Sequence, residues 1–250
     1  MTDLGLEPGI LLPALVAGML VLATHVPLGM EVLRRGIVFL DLAIAQIAGL
    51  GVILINALGT EPSGWAVQLG AVTAALAGAL LLRFMEKRRP QQQEAVIGVT
   101  FVVAASTAIL LLSQDPHGAE HLKDLLVGQI LWTTWVDLIP LGFITLGVLI
   151  GWFRFRLGES PLGFYLLFAL TITASVQVVG VYLVFASLIV PALAAEERLA
   201  IGYAGGGAGY VLGLLASAMF DVPAGAAIVL TLVMTAMALS WWRRGTTTPA

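Results

Sequence analysis

Apolar residues run along this chain in long unbroken blocks separated by short polar stretches. They show neither the alternation of a half-buried strand nor the narrow stripe of a surface helix. A bilayer core asks for roughly 20 apolar residues per helix. On that measure spans are expected at about 9–30, 37–59, 65–84, 94–113, 136–153, 199–220 and 225–242. The stretch 161–195 breaks the pattern: it fits two short spans meeting near Gln177-Val178-Val179-Gly180, or a re-entrant hairpin reaching half depth. The expected fold is all-α, a polytopic membrane helical bundle of about 7–9 spans with one short or re-entrant pair near 161–195. Residues 1–250 are expected to form a single transmembrane domain.

Composition agrees. Hydrophobic residues make up 59% of the 250 and charged residues 11%, against about 25% charged in a soluble domain, and the mean hydropathy is +1.00. The absence of cysteine excludes thiolate metal sites and disulfides. The acidic start lacks the basic n-region of a signal peptide.

Charge in the loops then sets an orientation. Arg34 and Arg35, then Arg83, Lys87, Arg88 and Arg89, then Arg154 and Arg156 mark one side; Glu61 and the stretch 114–124 mark the other. The positive-inside rule places the N-terminus outside. Arg198 and Arg243-Arg244 place the C-terminus in the cytoplasm, which requires an even number of crossings within 161–195. The many Gly and Ala residues suit close helix packing within the bundle or between two copies.

No phosphate loop, His-Glu-x-x-His or Gly-x-Ser-x-Gly pattern occurs. No enzyme activity and no ATP-binding motif are therefore expected of this chain, and uphill transport would draw on energy from elsewhere. Ionisable residues within spans are the remaining signal, because at membrane depth they mark ion paths or proton relays. The run 38–59 carries Asp41 and Gln46, and the preceding span carries His25. Antiparallel packing of those spans would put Asp41 and His25 at comparable depth, and carboxylate with imidazole suits zinc, manganese or iron. The competing reading pairs Asp41 with Arg34 or Arg35 at the headgroups and leaves His25 bonded to a backbone carbonyl. On the outer side His117 and His121 stand four apart among Asp115, Glu120 and Asp124. They form either a weak capture site or a solvated interfacial helix. Asp221 and Pro223 read as the cap and first turn of the last helix.

Four stretches in order, "PLGMEVLRRG" leading into "DLAIAQIAGLG", "HLKDLLVGQILW", "VGVYLVFASLIVPA" and "SAMFDVPAGAAIVL", resemble the permease subunit of zinc/manganese/iron-type ABC importers. The resemblance covers nearly the whole chain. It implies a multi-pass protein of a bacterial plasma (inner) membrane whose substrate is a divalent metal ion, with no bound cofactor. The implied partners are cytoplasmic ABC ATPase subunits, an extracytoplasmic metal-binding protein, a second copy of the chain and membrane lipid, with no nucleic acid.

Two departures stand out. The family places an Asp and a His four apart on the second span, about 40° apart around the axis. Here Leu42 and Gln46 hold those positions, and Asp41 lies about 140° from Gln46. A harder ion such as manganese, a weak transient site and a partly hydrated ion all fit. The second departure is the stretch 154–164, too short for the family's ATPase-docking helix. Arg156, Glu159 and Ser160 are the candidate ATPase contacts, with Ser160 also a cap for the next helix. The other readings are an ion-gradient-driven secondary carrier and a non-transporting membrane scaffold.

Overall fold

The computed structural model describes residues 8–58, 64–88, 90–113, 123, 126–195 and 198–246. Among these, every regular element is helical. The α-helices are α1 (Pro8–Arg35), α2 (Leu40–Leu58), α3 (Gly64–Arg88), α4 (Gln93–Leu112), α5 (Trp135–Leu149), α6 (Pro161–Val179), α7 (Val181–Ala195), α8 (Leu199–Phe220) and α9 (Ala224–Thr246). Seven are long and apolar enough to cross a membrane, and α2 and α7 are shorter apolar helices. Successive helices run in opposite directions. Arg34, Arg35, Arg83, Lys87, Arg88, Arg154, Arg156 and Arg198 thus gather at one end of the bundle, here the basic end.

The ambiguous stretch 161–195 resolves into a full-length α6 and a short α7 that meet at Gly180. Both are mostly buried. Helices α2, α3 and α4 pack together on one side of this pair and α1, α8 and α9 on the other, with α5 against α1 and α6. Gly180 has φ 80° and ψ 162°, a region open essentially to glycine alone. It faces Gly128 backbone to backbone: a Cβ on Gly180 would stand 2.3 Å from the Gly128 nitrogen. Two of the stretches that carry the family resemblance therefore touch each other at the α6–α7 break.

Within lipid every backbone carbonyl must find a donor inside the protein. Pro27, inside α1, has no N–H for the Ala23 carbonyl four residues earlier. The Tyr203 hydroxyl on α8 donates to that carbonyl at 2.9 Å. Tyr203→Phe is expected to loosen this contact and cost about 1 kcal/mol, seen as a lower melting temperature of the detergent-purified protein. An unchanged melt would mean that the hydroxyl is dispensable.

At the far end, the expectation for Asp221 is corrected. Asp221 adopts φ 51° as the C-terminal cap position of α8 rather than capping α9. Pro223 supplies the carbonyl that accepts the Ala227 N–H at 3.0 Å. The segment still turns in three residues because Ser217 Oγ donates to the Val222 carbonyl at 2.7 Å.

Candidate metal pathway

Gly36 takes φ 69° and lets the chain reverse tightly between α1 and α2. Asp41 consequently falls in the first turn of α2, where it is only 1% exposed. Backbone amides at a helix N-terminus favour a carboxylate, and the amides of Asp41 and Leu42 are the groups that face it. No side chain bonds either carboxylate oxygen.

The arginines that could have claimed Asp41 are engaged elsewhere. Arg34 Nε donates to Glu31 Oε2 at 2.7 Å, and Arg35 Nε donates to Glu31 Oε1 at 2.6 Å. Arg35 also donates to the Gly158 carbonyl at 3.2 Å and stacks over the Phe164 ring at 4.2 Å. The headgroup-pairing reading of Asp41 does not describe this geometry, because Glu31, one turn earlier on α1, is the nearer acid for both arginines.

His25 and Asp41 are not brought together. His25 lies ten residues before the basic end of α1, roughly 15 Å along the axis, whereas Asp41 is at the very start of α2. Helices α1 and α2 both pack on α6 and α7, but they make little contact with each other. The expectation of comparable depth fails because α2 begins only after the Gly36 turn, which holds Asp41 at the basic end. His25 Nδ1 donates to the Val21 carbonyl at 2.8 Å, leaving Nε2 buried without a partner. Among the described residues no three His, Asp or Glu side chains form a metal-holding group. His117 and His121 lie outside the described residues.

Gln46 is buried on α2 and faces an enclosed void of about 10 Å³ shared with Ile53, Ala108, Val176 and Val181. That is room for about one water molecule. Val176 lines this void, and Gln177, the next residue of α6, lines a much larger cleft on the end of the bundle away from the arginines. The cleft holds about 790 Å³ between α3, α5 and α6, with Gln68, Gln129, Thr133, Asp137 and Gln177 as its polar lining. Gln177, which stands at the end of α6, therefore faces this cleft. The α6–α7 break is bonded by its own helices, Gly180 N–H to the Val176 carbonyl at 2.9 Å and Val184 N–H to the Gly180 carbonyl at 3.0 Å. Asp137 was not anticipated; its carboxylate accepts the Thr134 N–H and hydroxyl at 2.9 and 2.7 Å and caps α5.

At the basic end the stretch from α5 to α6 contains a π turn over Ile150–Arg154 and a 3-10 turn over Leu157–Glu159. Arg156 has φ 52° and forms an exposed ion pair with Glu159. Ser160 Oγ accepts the Gly163 N–H at 3.0 Å and so caps α6. Phe153 and Phe155 project from this loop largely exposed.

The profile of the ABC 3 transport family matches residues 8–157 and 159–243. The chain belongs to this family. It is 28% identical over 244 residues to the manganese import system permease protein ScaB of Streptococcus gordonii, covering 87% of this chain and 86% of that protein. It is 25% identical over 243 residues to the manganese transport system membrane protein MntC of Halalkalibacterium halodurans, covering 87% and 82%. Its fold matches that of PsaBC from Streptococcus pneumoniae in complex with Fab, with a TM-score of 0.71 and 23% identity over 93% of this chain and 90% of that one.

As an ABC 3 transport family protein, the chain carries its buried acid one residue ahead of the position the resemblance implies, with Leu42 half-buried beside it. Sequence reasoning also passed over Glu94 on α4. The signal was present: like Asp41, it is an acid at the start of a span that rises from the basic end. Glu94 Oε1 accepts the Phe39 N–H at 3.2 Å, just ahead of α2.

Proposed function

We propose that the chain is the membrane-spanning permease subunit of an ABC importer for a divalent metal ion, with manganese the substrate that fits best. The observation that carries this is end-to-end similarity to two manganese permeases, over more than four-fifths of each protein. The donors available near Asp41 and Gln46 are oxygens, which suit manganese better than zinc. On the positive-inside rule the basic end lies in the cytoplasm. The N-terminus is then outside and the cleft at Gln177 opens outward.

In this reading an external binding protein delivers the ion over the cleft and Asp41 receives it at the cytoplasmic end. ATPase subunits dock on the basic end, and a second copy of the chain completes the transporter. A dication crossing hydrocarbon loses most of its hydration. A buried carboxylate held by helix amides, with no side-chain counter-ion, offsets part of that cost.

The test is ATP-dependent manganese accumulation in proteoliposomes holding this chain with its ATPase and binding protein. Accumulation above that of ATP-free vesicles is expected; failure to form any complex with the ATPase would overturn the proposal. Within that system Arg156→Glu is expected to weaken ATPase docking by about 1 kcal/mol or more, because it places like charge beside Glu159 on an exposed loop. The readout is the ATPase concentration needed for half-maximal stimulated hydrolysis. An unchanged value would remove Arg156 from the contact.

A further inference from the structure

We infer that Asp41 and Glu94 together form a two-carboxylate station for a hard dication at the basic end of the pathway, where the ion leaves the protein. The inference rests on the permease reading. Its observations are separate: two acids from different helices converge, and three of their four oxygens are buried without a side-chain partner.

Convergence comes from the packing of α4 on α2. Glu94 Oε1 accepts the Phe39 N–H at 3.2 Å, so the carboxylate is pinned against the first turn of α2 two residues from Asp41. Glu94 is near enough for its charge to act on Asp41. Glu94 Oε2 and both Asp41 oxygens are buried without a side-chain partner. The Phe39 N–H accounts for one Glu94 oxygen and the Asp41 and Leu42 amides face Asp41, but no side chain balances the charge of either acid.

Among the described residues, no basic side chain bonds these oxygens. Arg34 and Arg35 are bonded to Glu31, and Arg83 on α3 makes no hydrogen bond to any of the three oxygens. The Tyr165 hydroxyl on α6 accepts the Gln93 amide at 2.7 Å and has Glu86 as a second hydrogen-bond partner, and neither Tyr165 nor Gln93 bonds the three oxygens. Converging a buried carboxylate with a half-buried one is unfavourable unless a cation or protons balance them. A dication neutralises both at once.

The donor chemistry selects the ion. Carboxylate oxygens, completed by water, suit manganese, magnesium or calcium; zinc prefers imidazole or thiolate, and His25 lies too far up α1 to supply the imidazole. This station also explains how the chain functions with Leu42 and Gln46 where a ligand pair would stand. One ligand has moved to the adjacent residue of α2 and the other to a different helix.

The test is Mn²⁺ binding to the purified permease–ATPase complex, read from the loss of the free Mn²⁺ resonance in electron paramagnetic resonance, alongside uptake in proteoliposomes. Glu94→Gln keeps an acceptor for the Phe39 N–H and removes the charge. It is expected to weaken Mn²⁺ binding and slow uptake about tenfold, and to add little further loss in an Asp41→Asn background, since both act on one ion. If Glu94→Gln does not assemble, Asp41→Asn carries the same binding test, its side chain supporting no side-chain bond in the fold. Wild-type affinity for Mn²⁺ in either assembled variant overturns the station. Failure of the transport reading looks different: the wild-type complex would bind Mn²⁺ at the two acids yet accumulate none with ATP.

Discussion

Gly180→Ala is expected to deprive the cell of nearly all folded protein. The backbone at Gly180, φ 80° and ψ 162°, costs any other residue about 1–3 kcal/mol. The added methyl would stand 2.3 Å from the Gly128 nitrogen and 2.6 Å from its Cα. Backbone cannot yield as a side-chain tip can, so overpacking adds about 1–3 kcal/mol more. The sum is a large share of the roughly 5–15 kcal/mol that holds a domain folded. The measurement is the yield of monodisperse protein after detergent extraction, with its melting temperature. Gly98→Ala on α4 is the control: its new methyl meets nothing within 4 Å, and yield should match wild type. Equal yields from Gly180→Ala would show that the α6–α7 break tolerates a different backbone.

Asp41→Asn should leave the fold intact and reduce manganese uptake by at least about tenfold. The substitution preserves shape and removes only charge, at a side chain that accepts no side-chain hydrogen bond. A unit charge 4 Å from another is attracted by about 4 kcal/mol at an effective dielectric constant near 20, and much of that is returned to desolvation. A surviving 1.4 kcal/mol already corresponds to tenfold. Initial uptake rates in proteoliposomes decide the matter, with protein amount normalised by the ATPase activity of the same complex. Wild-type rates at normal protein levels would mean that the ion crosses without passing Asp41.

The helical bundle was legible because hydropathy blocks carry it directly. The expected span 199–220 coincides with α8, and 94–113 lies within a residue of α4 at each end. Helix ends were less legible where a helix runs beyond the hydrocarbon: α1 continues to Arg35 and α3 to Arg88 because arginines and lysine remain helical while reaching the headgroups. The candidate site was only half legible. Asp41 is visible as an acid in an apolar run, but which residues oppose it depends on which helices are neighbours. Hydropathy is silent on that point. The pairing of Asp41 with His25 assumed that consecutive spans share a functional depth, whereas the structure sets α2 beside α4 and brings in Glu94. The stretch 154–164 read correctly in one respect: Ser160 does cap α6.

Helix α7 has 15 residues, a rise of about 22 Å, against a hydrocarbon layer of about 30 Å. Helix α6 rises about 28 Å over its 19 residues to the same Gly180, so the two limbs of this buried hairpin differ in reach by about 6 Å.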